Sequence, residues 1–239
     1  MIKILDCTTR DGGYITNWNF EDKFVINLIR TLNNSGVTYY EIGYRNHSDT
    51  ENKGRFYNCT PEFLEKFYKI RNRLKLGVMT DIKRFSPKDF PGAGNDFIDF
   101  IRVACHPDSI ADALDITRGL YYNGYAVFVQ LMDISNIDEF GYLTLYKWEY
   151  KDILESIYIA DSYGTILTED VEKYFHKLQM LGYRKISFHA HNKNGKALSN
   201  SLKAMDLGAY SIDVTQNGIG RSGGNLAADE FFNKYLRKS

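Results

Sequence analysis

Eight short apolar segments recur along this 239-residue chain, and most are followed by a stretch with helical periodicity. The strand candidates are residues 2–8, 37–43, 74–79, 97–104, 125–132, 153–160, 185–188 and 211–214. Between the first two, Phe24, Val25, Leu28, Ile29 and Leu32 fall on one helical face within residues 20–32. Thr60 and Pro61 form an N-cap and first-turn signal, and further helices are predicted over 109–121, 168–181, 197–207 and 225–236. Strands this short and this continuously apolar are those of a parallel sheet covered on both faces, which needs a crossover after each strand. Eight such units predict an α/β fold, a closed (β/α)8 TIM barrel, as a single domain over residues 1–239. A doubly wound sheet uses the same units and is the alternative. The helical pattern is weakest after the third and fifth strands, the former being interrupted by Pro87, Pro91, Gly92 and Gly94.

Charge narrows the function classes. The 30 basic side chains balance 30 acidic ones, so a nucleic-acid partner is not expected. No apolar run approaches the length of a membrane span, and residues 1–6 lack a signal-peptide pattern, so a cytoplasmic location without membrane attachment is expected. Cys7, Cys59 and Cys105 are odd in number and far apart, which fits reduced thiols. Cys7, inside the first strand, reads as a buried apolar thiol.

A closed barrel gathers the polar residues at its strand ends onto one rim. Here these are Arg10, Asp11, Glu41, Asp81, Arg102, His106, Asp133, Asp161, His189, His191, Gln216 and Asn217. His189 and His191 are spaced i, i+2, which on a strand puts both imidazoles on one side. Strand one adjoins strand eight, and eight adjoins seven, so Asp11 can reach the pair. Two imidazoles and one carboxylate make a divalent-metal set with positions left open for substrate; ligand type alone allows Zn²⁺, Mn²⁺, Mg²⁺ or Fe²⁺. The competing readings are a wet strand face for the histidines and a turn role for Asp11 beside Gly12. Arg10 can stabilise an oxyanion on the substrate, or else pair structurally with Glu41 or Asp161. Glu41 is an acid/base candidate or the partner that orients a neighbour. Residues 218–223 match G-x-G-x-x-G, but no strand–helix unit follows to complete a dinucleotide site, so a loop serving an anionic substrate fits better. Asn225 either caps the last helix or lends its oxygen to the metal.

Three stretches together resemble the metal-dependent aldolase and lyase superfamily of TIM barrels, which includes 3-hydroxy-3-methylglutaryl-CoA lyase, isopropylmalate and homocitrate synthases and, closest in character, 4-hydroxy-2-oxovalerate aldolase. They are Leu5-Asp6-Cys7-Thr8-Thr9-Arg10-Asp11-Gly12-Gly13, His189-Ala190-His191-Asn192, and Gly218-Ile219-Gly220 continuing through Gly224-Asn225-Leu226. The resemblance implies that Asp11, His189 and His191 bind Mg²⁺ or Mn²⁺, with Asn225 as a fourth ligand, Arg10 stabilising an enolate and Glu41 as the acidic residue ending strand two. Tyr14 stands where the oxovalerate aldolases carry a histidine base, and the glycine-rich loop lacks the cysteine of the CoA lyase. The extra C-terminal helices of those aldolases and the regulatory domain of many synthases are not present in these residues, so either a stand-alone barrel or a domain of a longer chain is expected; the resemblance itself suggests a homodimer.

The expected activity is therefore divalent-metal-dependent cleavage of a 4-hydroxy-2-oxo acid to pyruvate and an aldehyde. Tyr14, or a water held by Glu41 or His189, would move the 4-hydroxyl proton. A Claisen-type condensation of an acyl-CoA with a 2-oxo acid and a non-catalytic barrel that retains its ion are the alternatives.

Overall fold

The computed structural model describes residues 2–48 and 50–235. Eight parallel strands close into a barrel in sequence order: β1 (Lys3–Asp6), β2 (Tyr39–Tyr44), β3 (Lys75–Asp81), β4 (Phe100–Cys105), β5 (Ala126–Leu131), β6 (Leu154–Asp161), β7 (Ile186–Ala190) and β8 (Ser211–Val214). The ring is shut by the pairing of β1 with β8, in register from Lys3 opposite Ser211 to Asp6 opposite Val214. Chain ends that are remote in sequence thus become neighbours, as the strand count requires.

The helices are α1 (Thr8–Asp11), α2 (Gly13–Thr16), α3 (Asp22–Asn33), α4 (Pro61–Tyr68), α5 (Ile110–Tyr122), α6 (Glu139–Lys147), α7 (Thr168–Met180), α8 (Ala197–Asp206) and α9 (Ala228–Tyr235). Thr60 caps α4 as expected, its hydroxyl accepting from the Phe63 N–H at 3.3 Å, with Pro61 at the first helical position. The segment after β3 holds only 3₁₀ turns among the described residues, consistent with its prolines and glycines. The segment after β5 does form a helix, α6, and its cap is Asp138, which accepts from the Gly141 N–H at 2.8 Å.

Three expected boundaries are corrected. The first strand stops at Asp6 instead of running to residue 8. The Asp6 carboxylate accepts the Thr8 N–H at 2.9 Å, and this turns residues 8–11 into a single helical turn. The fourth strand begins at Phe100, because Asp96 and Asp99 are held in ion pairs with Arg45 and Arg71 ahead of it. The last helix starts at Ala228, not at residue 225, so Asn225 is not its cap; the expected end of that helix at Leu236 lies outside the described residues.

Apolar packing divides into two clusters. The larger fills the space between strands and helices, while Leu5, Cys7, Tyr39, Phe100, Phe128 and Tyr158 pack separately inside the barrel. Gly77 makes room for this interior: a Cβ there would lie 2.5 Å from the Phe100 ring. Two residues after Tyr39 and Phe100 stand Glu41 and Arg102, which with His189 on β7 and Asp213 on β8 are buried. Side chains alternate faces along a strand, so the interior changes from apolar to charged within one step toward the C-terminal rim.

Candidate metal centre

Asp11, His189 and His191 converge at the C-terminal end of the barrel, with one ligand atom from each lying within 4.8 Å of the others. Asp11 ends α1, the helical turn that the Asp6 cap creates after β1. His189 lies on β7, and His191 directly follows its end. All three are essentially inaccessible to solvent.

Each imidazole is held through its far nitrogen. His189 Nδ1 donates to Asp213 Oδ2 at 2.9 Å, and His191 Nδ1 donates to the Arg221 carbonyl at 3.1 Å. Both Nε2 atoms are consequently buried with no hydrogen-bond partner, as is Asn225 Oδ1. Buried polar atoms seldom stay unpartnered, because each costs about 1–3 kcal/mol. Unsatisfied acceptors facing a carboxylate are the mark of a cation site.

The glycine-rich loop carries Asn225 to this point. Asn192 N–H donates to the Gly224 carbonyl at 2.9 Å, and a bridge joins His191 to Asn225. The Asn225 amide then donates to Asp11 Oδ2 and to the Ile219 carbonyl, leaving Oδ1 unpartnered. Gly220 has no space for a side chain: a Cβ would sit 2.2 Å from Asn225 Nδ2 and 2.7 Å from Asp11 Oδ2.

Electrostatics favour the same donor set. Burial alone would push the Asp11 carboxyl up, but the Arg10 guanidinium 2.8 Å away, with Arg221 further off, holds it well below the carboxylate range. Burial pushes both imidazoles down, that of His189 strongly and with help from Arg10, so the two are neutral and available as donors. Cys7, His189 and Asp213 also approach one another. Burial drives the Cys7 thiol well above its usual range, however, and Asp213 is already engaged with His189, so that trio orients a ligand and holds no ion of its own.

Behind the ligands runs a chain of buried charges. Arg10 Nε donates to Glu41 Oε2 at 2.7 Å and Nη1 to Asp11 Oδ1 at 2.8 Å, while Nη2 has no partner. Arg102 takes both Glu41 oxygens and also donates to Asp213 Oδ2 at 2.6 Å. The series Asp11–Arg10–Glu41–Arg102–Asp213–His189 therefore links Asp11 to His189 across the barrel. Glu41 is fully engaged by two guanidiniums, so its position is that of an orienting group. Tyr14 is 41% exposed, and its hydroxyl lies 3.0 Å from that of Tyr44, with the Arg221 guanidinium 4.9 Å over its ring.

Other rim residues stand apart. Asp161 accepts backbone N–H groups from Thr165 and Ile166 in the turn before α7, and does not meet Arg10. Asp133 binds Asn136 and Tyr163, and His106 is exposed. Asp213 escaped the sequence reading, and Arg102 was placed on the rim without a role. The available signal was a lone charge within an otherwise apolar strand, Ser-Ile-Asp-Val in β8 and Phe-Ile-Arg-Val-Ala-Cys in β4.

In comparison with known proteins, the family model described as HMGL-like matches residues 96–237. The chain belongs to the HMGL-like family. It is 28% identical to an oxaloacetate decarboxylase of Mycobacterium tuberculosis, over 93% of this chain and 66% of that protein. It is 27% identical to a 4-hydroxy-2-oxovalerate aldolase of Geobacillus genomosp. 3, over 95% and 68%. The N-terminal domain of a putative aldolase from Bacteroides vulgatus superposes with a TM-score of 0.88 at 31% identity, covering 99% of this chain and 80% of that one. This HMGL-like chain thus spans about two thirds of the length of the curated relatives it matches. Family membership, with relatives named for an aldolase and a decarboxylase, puts the barrel in the carbon–carbon lyase class, whose HMGL-like aldolases depend on a divalent metal. No helix among the described residues is long and apolar enough to cross a membrane.

Proposed function

We propose that this chain cleaves a 4-hydroxy-2-oxo acid to pyruvate and an aldehyde, as a divalent-metal-dependent aldolase. The observation that carries this reading is the set of unpartnered buried groups at one place: His189 Nε2, His191 Nε2, Asn225 Oδ1 and the Nη2 donor of Arg10. Asp11, His189, His191 and Asn225 would hold Mg²⁺ or Mn²⁺, and a 2-oxo acid would present its carboxylate and ketone oxygens there. An ion so held supplies Lewis acidity toward the ketone oxygen.

Arg10 Nη2 is the donor for the oxyanion that develops as the C3–C4 bond breaks and its electron pair enters the enolate. The guanidinium is fixed in advance by Glu41 and Asp11, which is the condition for a donor to favour the transition state. The 4-hydroxyl proton leaves toward the Tyr14 oxygen, while the phenolic proton of half-exposed Tyr14 passes to water. Burial pushes the Tyr44 phenol well above its usual range, so it remains a hydrogen-bond donor to Tyr14. A proton from water then completes the methyl group of pyruvate.

The test is release of pyruvate from synthetic 4-hydroxy-2-oxo acids with added Mn²⁺, compared with the Asp11→Asn protein. Release that depends on both metal and Asp11 supports the proposal; no release from any such acid by metal-loaded protein overturns it. The oxaloacetate decarboxylase relative favours a second reading, since loss of CO₂ from oxaloacetate leaves the same enolate without a proton acceptor at C4. Oxaloacetate in the same assay separates the two.

A further inference from the structure

Tyr14 is shared between the metal centre and a cavity of about 340 Å³ that opens beside the ends of β2 and β3. On the metal side its ring lies under Arg221, whose Nε is 4.0 Å from Asp11 Oδ1. On the other side the hydroxyls of Tyr14 and Tyr44 form the near wall of the cavity, followed by Asn17 and Asn46. Trp18 and Tyr57 are buried and line it further. A cleft of this size is in the range of small-molecule sites and is larger than the methyl-bearing fragment of a two-carbon aldehyde needs. Loss of CO₂ from oxaloacetate would leave it without a role.

Among the described residues that line the cavity, two cations, Lys53 and Arg84, stand with one carboxylate, Asp81. Arg84 pairs with Asp81 at 3.3 Å. Lys53 makes no ion pair with a described residue, and its ammonium stands 5.3 Å over the Trp18 ring and 6.0 Å over that of Tyr57. Lys53 is exposed, so water satisfies its three ammonium donors until an anion displaces it; the aromatic faces satisfy none of them. Asparagine amides and tyrosine hydroxyls nearby suit hydroxyl groups along a polar chain.

We propose that this cavity is the subsite for the aldehyde-derived half of the substrate, and that Lys53 selects a half ending in an anion, a carboxylate or a phosphate. The proposal rests on the aldolase reading above and names the substrate class within it: 4-hydroxy-2-oxo acids with a polar, negatively terminated tail. Lys53 is a specificity residue, remote from the bond that breaks.

The experiment compares kcat/KM for 4-hydroxy-2-oxo acids of matched tail length ending in methyl, carboxylate or phosphate, with Mn²⁺, in the natural protein and in Lys53→Gln. The expected result is a preference of about tenfold for an anionic end, the scale of one charge-assisted hydrogen bond, shrinking to within about threefold in Lys53→Gln. The carboxylate and phosphate arms tell which anion the subsite takes. Equal use of methyl and anionic tails by the natural protein, or an unchanged preference in Lys53→Gln, overturns the proposal. If no acid is cleaved, the aldolase reading fails separately, and the subsite is judged by calorimetric titration of metal-free protein with glycerol 3-phosphate and 4-hydroxybutyrate. Binding of either that weakens about tenfold in Lys53→Gln upholds the anion subsite, and absence of binding overturns it.

Discussion

At the N-terminal mouth of the barrel, Lys3, Tyr39, Glu155 and Tyr210 close the interior with a cluster of charges and hydroxyls. Lys3 Nζ lies 3.1 Å from Glu155 Oε1, which also accepts from the Tyr39 hydroxyl at 2.8 Å and from that of Tyr210. At the opposite mouth, Arg10, Glu41, Arg102 and Asp213 form a cluster of similar chemistry. The difference lies in what is left over. None of the four N-terminal residues has a buried polar atom without a partner, whereas the C-terminal end leaves Arg10 Nη2, both histidine Nε2 atoms and Asn225 Oδ1 unpartnered. The N-terminal mouth is a satisfied plug. The C-terminal mouth spends stability to keep donors and acceptors aimed at something the protein itself does not provide, the usual pattern when geometry serves a ligand.

The sharpest way to break this comparison is to remove Arg102. Arg102→Leu leaves Glu41 and Asp213 as buried charges without their main partner, and a loss of about 3–5 kcal/mol in unfolding free energy is expected in urea titration. A loss under 1 kcal/mol would mean that the network is not holding these charges. Next comes Arg10→Lys, which keeps a charge but loses the fork between Glu41 and Asp11. It should cost about 10²–10³ in kcat for pyruvate release, with metal affinity changed far less. Asp213→Asn weakens the group that orients His189 and removes one charged partner of Arg102, and Mn²⁺ affinity measured by calorimetry should fall by about 10–100-fold.

The smallest effect belongs to the other mouth. Glu155→Gln should lower stability by about 1 kcal/mol and leave kcat within about twofold, since it lies on the face where such barrels keep structural residues. Its pH dependence has a defined sign. Burial opposes ionisation of Glu155, but hydrogen bonds from Tyr210, Tyr39 and Lys3 outweigh it and lower the folded-state pKa below the ordinary 4.5. The native state then binds fewer protons than the unfolded chain, so this contribution is fully present above pH 4.5 and is lost as pH falls through the lowered value. The difference in Tm between the natural protein and Glu155→Gln should close on acidification below pH 4.5, and a gap that widens there would contradict the assignment.

The barrel was legible because its evidence is local and repeated: each apolar run and each helical stripe announces itself, and eight units leave few closed arrangements. Asp11, His189 and His191 were legible as a candidate group for a different reason: residue type and i, i+2 spacing mark possible ligands without coordinates, and closure brings the three side chains together. The failures share a cause. Asn225 stands open in the sequence between a helix cap and a metal ligand; the cap reading falls because its backbone joins His191, a contact 34 positions away in sequence. Asp213 went unnoticed because nothing adjacent to it reveals that the next strand in space carries a metal-site histidine.

The sequence by itself therefore determined the strand and helix alternation, the closed parallel sheet that follows from it, and a candidate set of cation-binding side chains, all of which depend on short-range pattern and side-chain chemistry. Tertiary structure alone decided that Glu41 is locked between two arginines, that Arg10 keeps one donor unpartnered, and that the cavity beyond Tyr14 is lined by Lys53, which makes no ion pair with a described residue. Those outcomes depend on which side chains from different strands meet inside the ring, and that is set by register and closure.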